Sequence, residues 1–430
     1  MGTLYNAVMA VALLLLAWGF AQFVLWYRWG TAELESALRR PPAPQHRYHL
    51  VFLIPCLNEE AVIGETVNAI RELAPDATVV VVDDASADQT RKLATGAGAM
   101  VVRRELPAAQ KGKGPALNRG FQSVTTLARR RRLDPYRTIV CVMDADGRLS
   151  PNAIPVALER FDDPRVGGVQ LPVRIRNKGS FLARMQDLEF WGMSAIAQMA
   201  RVRTRSVSLG GNGQFTRLAA LDSVGPCPWS DALTEDLDLG LELTLRGWEL
   251  DCASAGWVSQ QGVETLRALL RQRTRWYQGH MLCARKSRIL WESPVVPRRT
   301  ALETIVYLVS PSFVMLPWSI AFTLGLAAVA AHIAGAGPIP LDGVEANLGL
   351  YAAFWYLLTF LPPVVMALLY ARRSEDEDVV GSFAKGHALV FYAYVNMAAG
   401  WCALTRIALR RDTWAKTVRV VEVADLERAA

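Results

Sequence analysis

Charge is scarce in this 430-residue chain: Asp, Glu, Lys and Arg make up 20% of it, against 52% hydrophobic residues and a mean hydropathy of +0.17. That balance excludes an intrinsically disordered chain and is too apolar for a purely soluble one. The six cysteines, at 56, 141, 227, 252, 283 and 402, contain no C-x-x-C pair and no spacing of a disulfide framework. Reduced thiols in a cytosol-facing domain are the reading that remains. Zinc-finger spacing, a basic recognition helix and a Walker A loop are also missing. The net charge of +7 therefore does not point to nucleic acid; with this hydropathy it fits loops beside an anionic lipid surface. What the chain has in quantity is aromatic: 13 Trp and 11 Tyr, which suit membrane interfaces and sugar-stacking platforms.

Long apolar runs sit at both ends. Thr3 to Tyr27 is free of charge, and at 1.5 Å per residue it reaches about 37 Å, enough for a hydrocarbon core of about 30 Å. It lacks the basic start and short core of a signal peptide, so an uncleaved helix over 1–28 is expected. Arg28, Arg39, Arg40 and Arg47 follow it, which puts the N-terminus outside and the domain from Arg28 to about Arg299 in the cytoplasm. Residues 300–411 carry three further runs: Thr304–Leu341, interrupted by Pro311 and Pro317; Ala346–Ala371, with Pro362 and Pro363 expected to kink it; and Gly386–Thr405. A tail follows over 412–430. The charge rule conflicts with itself here. Arg372, Arg373 and Lys385 precede the last run, and Arg406, Arg410, Arg411, Lys416 and Arg419 follow it, so both flanks of one segment read as cytoplasmic. A re-entrant last segment, a double crossing by Thr304–Leu341 and a failure of the rule are all open.

Between Tyr48 and Cys283 the pattern changes. Runs at 49–55, 77–84, 99–104, 137–146 and 166–173 read as buried strands, with amphipathic helices between them. Alternation at this spacing predicts an α/β domain over 48–283 with a doubly wound, mostly parallel sheet. Ligands in such sheets bind beyond the carboxyl ends of the strands, and that is where the acidic clusters fall.

The first strand ends in Pro55-Cys-Leu-Asn58-Glu59-Glu60 and the second in Asp83-Asp84-Ala-Ser86. Carboxylates there can accept from a base N–H or a ribose hydroxyl, or simply cap helices. The fourth strand ends in Asp144-Ala-Asp146. Two carboxylates on a turn suit Mg²⁺ or Mn²⁺ shared with substrate phosphates, with turn capping as the alternative. Lys113 lies between these motifs, where an ammonium can neutralise a diphosphate or face solvent. Gly210-Gly211-Asn212-Gly213 offers a backbone that a ligand can approach closely. In Thr234-Glu235-Asp236-Leu-Asp238, Thr234 is a candidate helix cap. Asp236 is a candidate general base, with a pKa that a low-polarity cleft would raise. Gln272, Arg275 and Trp276 fall about one turn apart on a basic amphipathic helix. Such a helix is either an interfacial anchor or a surface that holds a leaving diphosphate and stacks on a sugar.

In this order, PCLNEE, VVDDAS, DAD, GGNGQ, TED and QRTRW resemble the family 2 membrane glycosyltransferases, the group of the cellulose, chitin, hyaluronan and poly-N-acetylglucosamine synthases. The resemblance covers about Tyr48 to His280. It implies a GT-A-like fold joined to transmembrane helices, and transfer with inversion from a nucleotide-diphosphate sugar. A UDP-sugar is the leading donor, with GDP-mannose behind it. By position it implies nucleotide-sugar contacts from Pro55, Asn58, Glu59, Asp83, Asp84, Lys113, Asp144, Gln272 and Arg275. It implies Mg²⁺ or Mn²⁺ at Asp144 and Asp146, Asp236 as base, and acceptor contacts from Gly211, Asn212, Glu235 and Trp276. The expected product is a growing polysaccharide made by a multi-pass protein of the bacterial cell membrane. A glycolipid transferase and a membrane-anchored binding protein with an inactive site are the alternatives. The partners expected are donor, polysaccharide or lipid acceptor and bilayer, without nucleic acid; the oligomeric state is open.

Overall fold

The computed structural model describes residues 2–40, 48–335, 348–374 and 377–411. The expected tail over 412–430, with Lys416 and Arg419, lies outside the described residues, as do Arg47 and the end of the Thr304–Leu341 run.

The chain opens with α1 (Gly2–Arg39), which continues well past the apolar stretch. Its second half packs on the α/β domain. A Cβ at Gly30 would lie 2.4 Å from the carbonyl of Ile196, so only glycine permits that approach. Glu33, one turn on, pairs with the buried Arg160 at 2.7 Å.

The soluble domain then runs β1 (His49–Cys56), α2 (Ile63–Leu73), β2 (Thr78–Asp83), α3 (Thr90–Gly96), β3 (Met100–Arg103), α4 (Lys113–Arg131) and β4 (Thr138–Val142). It continues through β5 (Arg148–Leu149), α5 (Ala153–Arg160), β6 (Val166–Gln170), β7 (Val173–Ile175) and α6 (Phe181–Asp187). A π-helical segment, Leu188–Ser194, joins α6 to α7 (Ala195–Val202). After it come β8 (Gln214–Arg217), α8 (Leu218–Val224), α9 (Glu235–Leu245), β9 (Glu249–Cys252), β10 (Val258–Gln260), α10 (Leu266–Cys283) and α11 (Ser287–Glu292).

The main sheet has the order β3-β2-β1-β4-β8-β6-β9. β3, β2, β1 and β4 are mutually parallel, as are β6 and β9, while β8 runs antiparallel between β4 and β6. The sheet is therefore mostly parallel, as expected, with one antiparallel strand in it. Its odd strand, β8, follows the glycine turn directly. A smaller sheet, β5-β10-β7, sits beside it. β-branched runs form the inner strands because both faces are covered by helices. Val51 and Leu53 face a layer with Leu117, Phe121 and Val124 of α4, and Phe52 and Ile54 face one with Ile63, Val67 and Ile70 of α2.

Past the domain come α12 (Arg298–Ser310), a π-helical turn at Pro311–Met315, α13 (Leu316–Ile333), α14 (Leu348–Arg373) and α15 (Val379–Ala408). Pro311 marks the change of helix type, as a residue without an N–H should. α14 is one continuous helix that includes Pro362 and Pro363. Among the described residues, Arg298–Ala327, Ala353–Arg373 and Val379–Ala408 are long and apolar enough to cross a membrane.

Candidate active site

A cavity of about 840 Å³ opens at the carboxyl ends of β1, β2 and β4. Its polar end is lined by Pro55, Glu59, Asp84, Lys113, Asp144, Glu235, Asp236, Gln272, Arg275 and Trp276. Its other end runs among Val314, Met315 and Trp318, beside α13, and Ala393 and Met397 of α15.

Lys113, at the first turn of α4, is the hub. Its ammonium lies 2.7 Å from Asp144 Oδ1, 3.0 Å from the carbonyl of Gly211 and 3.9 Å from Glu235 Oε1. Burial alone would lower its pKa, but Asp144, Glu235 and Asp236 more than offset that and raise it, so the cation is retained. Gly211 has φ +67°, and a Cβ there would stand 2.7 Å from Asp236 Oδ2 and 3.0 Å from Lys113 Nζ. Glycine is what lets the turn close over the pair.

Glu235 and Asp236 open α9. Burial, then the charge of Asp236, pushes Glu235 up to about 7; burial also raises Asp236, while Lys113 pulls it down. Asp236 Oδ1 accepts the N–H of Leu237 at 2.7 Å. Thr234 makes no side-chain cap on this helix. Its hydroxyl sits instead 3.7 Å from Cys283 Sγ. Asp238 does not line the cavity: it accepts from Ser230 Oγ at 2.7 Å and pairs with Lys286 at 2.5 Å.

Several polar residues singled out by motif are used by the loops themselves. Asp83 Oδ1 accepts the N–H of Ser86, and Asn58 Oδ1 that of Ala87, which ties the two strand ends together. Asn212 Oδ1 accepts the N–H of Asp144, and its amide donates to Gln260 Oε1 at 2.9 Å. Asp146 is fully buried and accepts the N–H of Gln261 at 2.9 Å. None of these four lines the cavity. Asp84 does; it pairs with Arg104 and accepts the N–H of Gln110, and burial still raises its pKa. Of the Asp144–Asp146 pair only Asp144 lines the cavity, whereas Asp146 accepts from Gln261. Among the described residues no three His, Cys, Asp or Glu side chains converge to hold a metal by themselves, so a cation here needs substrate oxygens beside Asp144.

The motif reading missed Arg273 and Glu189. Arg273 is buried, pairs with Glu189 at 2.6 Å and stacks over Phe190 and Trp276, with its guanidinium 5.0 and 4.6 Å from the ring centres. It therefore fixes the Trp276 ring. The two arginines of QRTRW, on the cavity-lining α10, were the available signal; nothing local marks Glu189, which a π-helical segment supplies.

Residues 46–279 match the model of the glycosyltransferase like family 2. A beta-monoglucosyldiacylglycerol synthase of Trichormus variabilis is 33% identical over 240 residues, covering 53% of this chain and 48% of its own. A poly-beta-1,6-N-acetyl-D-glucosamine synthase of Staphylococcus aureus is 28% identical over 263 residues, covering 59% and 60%. The chain thus spans between about half and three fifths of the length of these relatives. Among solved structures, a mannosyltransferase from Pyrobaculum calidifontis in complex with GDP-Man and Mn²⁺ matches with a TM-score of 0.58 at 18% identity, over 94% of this chain and 99% of that one. That match carries the fold into the membrane-proximal helices. By the match over 46–279, the chain belongs to the glycosyltransferase-like family 2.

Proposed function

We propose that the protein transfers a sugar, with inversion, from a nucleotide-diphosphate sugar to an acceptor hydroxyl at the membrane surface. The observation that carries this reading is the meeting of Asp236, Glu235, Lys113 and Asp144 with Arg275 and Trp276 in one cavity that continues among apolar helices. The nucleotide end is formed by Pro55, Glu59 and Asp84. Asp236 takes the acceptor proton as the oxygen bonds to the anomeric carbon, and the bond from that carbon to the diphosphate breaks on the opposite face. Lys113, Arg275 and Gln272 hold the departing diphosphate. Asp144 would hold Mg²⁺ or Mn²⁺, which supplies charge neutralisation to the diphosphate when bound. Trp276, fixed by Arg273, offers a ring face to the acceptor. The soluble domain, 48–283, faces the cytoplasm, where nucleotide sugars are made, and the helices from α12 onward are its membrane region.

For the acceptor, the apolar end of the cavity favours a lipid carrying the hydroxyl, in keeping with the glycolipid synthase among the relatives. A growing polysaccharide is the second reading, favoured by the paired rings of Phe190 and Trp276, 6.0 Å apart, on which a sugar can stack. Incubating the purified protein with labelled UDP-sugars and GDP-mannose in mixed lipid separates them. Label extracted into organic solvent supports the lipid acceptor, label in precipitable polymer supports the polysaccharide, and no transfer from any donor rejects the enzyme reading. Chelation is a further expectation. Excess EDTA should abolish transfer and weaken donor binding measured by calorimetry, with Mn²⁺ or Mg²⁺ restoring both; full donor affinity in chelator would remove the cation from the site.

A further inference from the structure

We infer that the last apolar helix, α15, does not cross the bilayer but lies along the leaflet next to the soluble domain, with both of its ends on the domain's side. The helix has 30 residues, about 45 Å at 1.5 Å per residue. A crossing of a hydrocarbon core of about 30 Å would carry one end far from the domain. Instead it is anchored along its whole length. At its start, Glu377 pairs with Lys385 and accepts the hydroxyl of Tyr370 at 3.1 Å. That hydroxyl also reaches Asp187 at 2.8 Å, a fully buried carboxylate of α6 that accepts the N–H of Ile175. At its middle, Tyr392 and Asn396 donate to Glu189 at 3.1 and 3.0 Å. At its end, Arg406 donates to Gln278 of α10 at 2.7 Å, and Gln278 donates to the carbonyl of Arg411 at 2.7 Å.

The sequence of the helix agrees with this placement. At 100° per residue, the anchors Lys385, Tyr392, Asn396 and Arg406 fall within about 80° of one another. The exposed Val380, Phe383, Phe391, Trp401 and Leu404 fall within about 140° on the opposite side. The partner of that outer face is lipid, because α15 is continuous with the membrane helices: Phe391 meets Phe360 of α14, and Trp401 donates to Ser319 of α13. The arrangement also removes the charge conflict. With α1, α13 and α14 as the crossings, Arg372, Arg373, Lys385, Arg406, Arg410 and Arg411 all lie on one side, as the excess of cations in cytoplasmic segments requires.

This inference rests on the membrane reading above but not on the donor or acceptor. The test uses the full chain in cells, with the exposed Cys227 and Cys402 changed to Ser and single cysteines introduced as Val379→Cys, Leu409→Cys, Arg130→Cys and Gly335→Cys. An impermeant maleimide should label Gly335→Cys in intact cells, and the other three only after permeabilisation. Labelling of one end of α15 without the other makes it a crossing and overturns the inference. If Arg130→Cys labels from outside, the proposed orientation fails, and α15 is judged by whether both its ends label with it. Gln278→Cys with Arg406→Cys should be bridged by a short bismaleimide, and no bridge would overturn the far anchor even where lipid shields the ends.

Discussion

Changing Asp236 to Asn is expected to lower transfer by at least about 100-fold, the usual range for loss of a general base, while the protein folds and binds nucleotide as before. The amide keeps the shape of the carboxylate and can still accept the N–H of Leu237, but it cannot take a proton. The nucleotide end of the cavity, at Pro55, Glu59 and Asp84, belongs to other strands and should not notice the change. The pH profile gives an independent check. Burial raises both Glu235 and Asp236, and Glu235 to about 7. A base must be deprotonated to act, so the rise of turnover with pH should lie above the ordinary carboxylate value of about 4, because burial raises Asp236. Asp238→Asn is the control. It sits outside the cavity, so its loss of the Lys286 and Ser230 contacts should cost roughly 1–3 kcal/mol of stability and leave turnover per folded molecule intact. An Asp236→Asn enzyme that keeps most of its turnover, or loses nucleotide affinity in step with activity, would show the residue to be structural.

The parts of the fold that the sequence revealed are those set by local pattern. The β-branched runs of β1, β2 and β4 could be located because a strand covered on both faces must be apolar throughout. β8 was not read as a strand, because four residues after a glycine turn carry too little pattern, and its antiparallel pairing is decided by β4 and β6 on either side. The site divides on similar lines. Residue type and position beyond a strand end pick out Asp84, Lys113, Asp144 and Asp236, which line the cavity, as well as Asp83, Asn58, Asn212 and Asp146, which do not. The chemistry of a carboxylate that accepts from a loop N–H is the same as that of one awaiting a ligand. Only the direction of the side chain separates them. Arg273 and α15 were harder still: the first is explained by Glu189, 84 residues earlier, and the second by a hydrogen bond from Arg406 to Gln278 across 128 positions. No short window contains either pair.

Lys113→Met should have the second large effect, and its form distinguishes chemistry from architecture. The ammonium is the internal counter-ion for Asp144, Glu235 and Asp236, with Arg275 the other cation acting on the Glu235–Asp236 pair. Removing it takes away a group placed to neutralise the diphosphate. Loss of one such preorganised stabiliser typically costs 10²–10³-fold, here expected in kcat/KM for the donor. It also removes the charge that pulls Asp236 and Glu235 down, so both should rise further, and the ascending limb of the pH profile should move to higher pH. Lys113→Arg should rescue little. A planar fork does not replace a point charge held between Asp144 and the Gly211 carbonyl, at 2.7 and 3.0 Å. A lysine that only tethers the glycine turn would behave differently: Lys113→Met would lower the melting temperature and leave the pH profile where it was. An unshifted profile together with kcat/KM within a few-fold of the parent would therefore remove Lys113 from the chemistry and leave Arg275 as the group to which the diphosphate must be assigned.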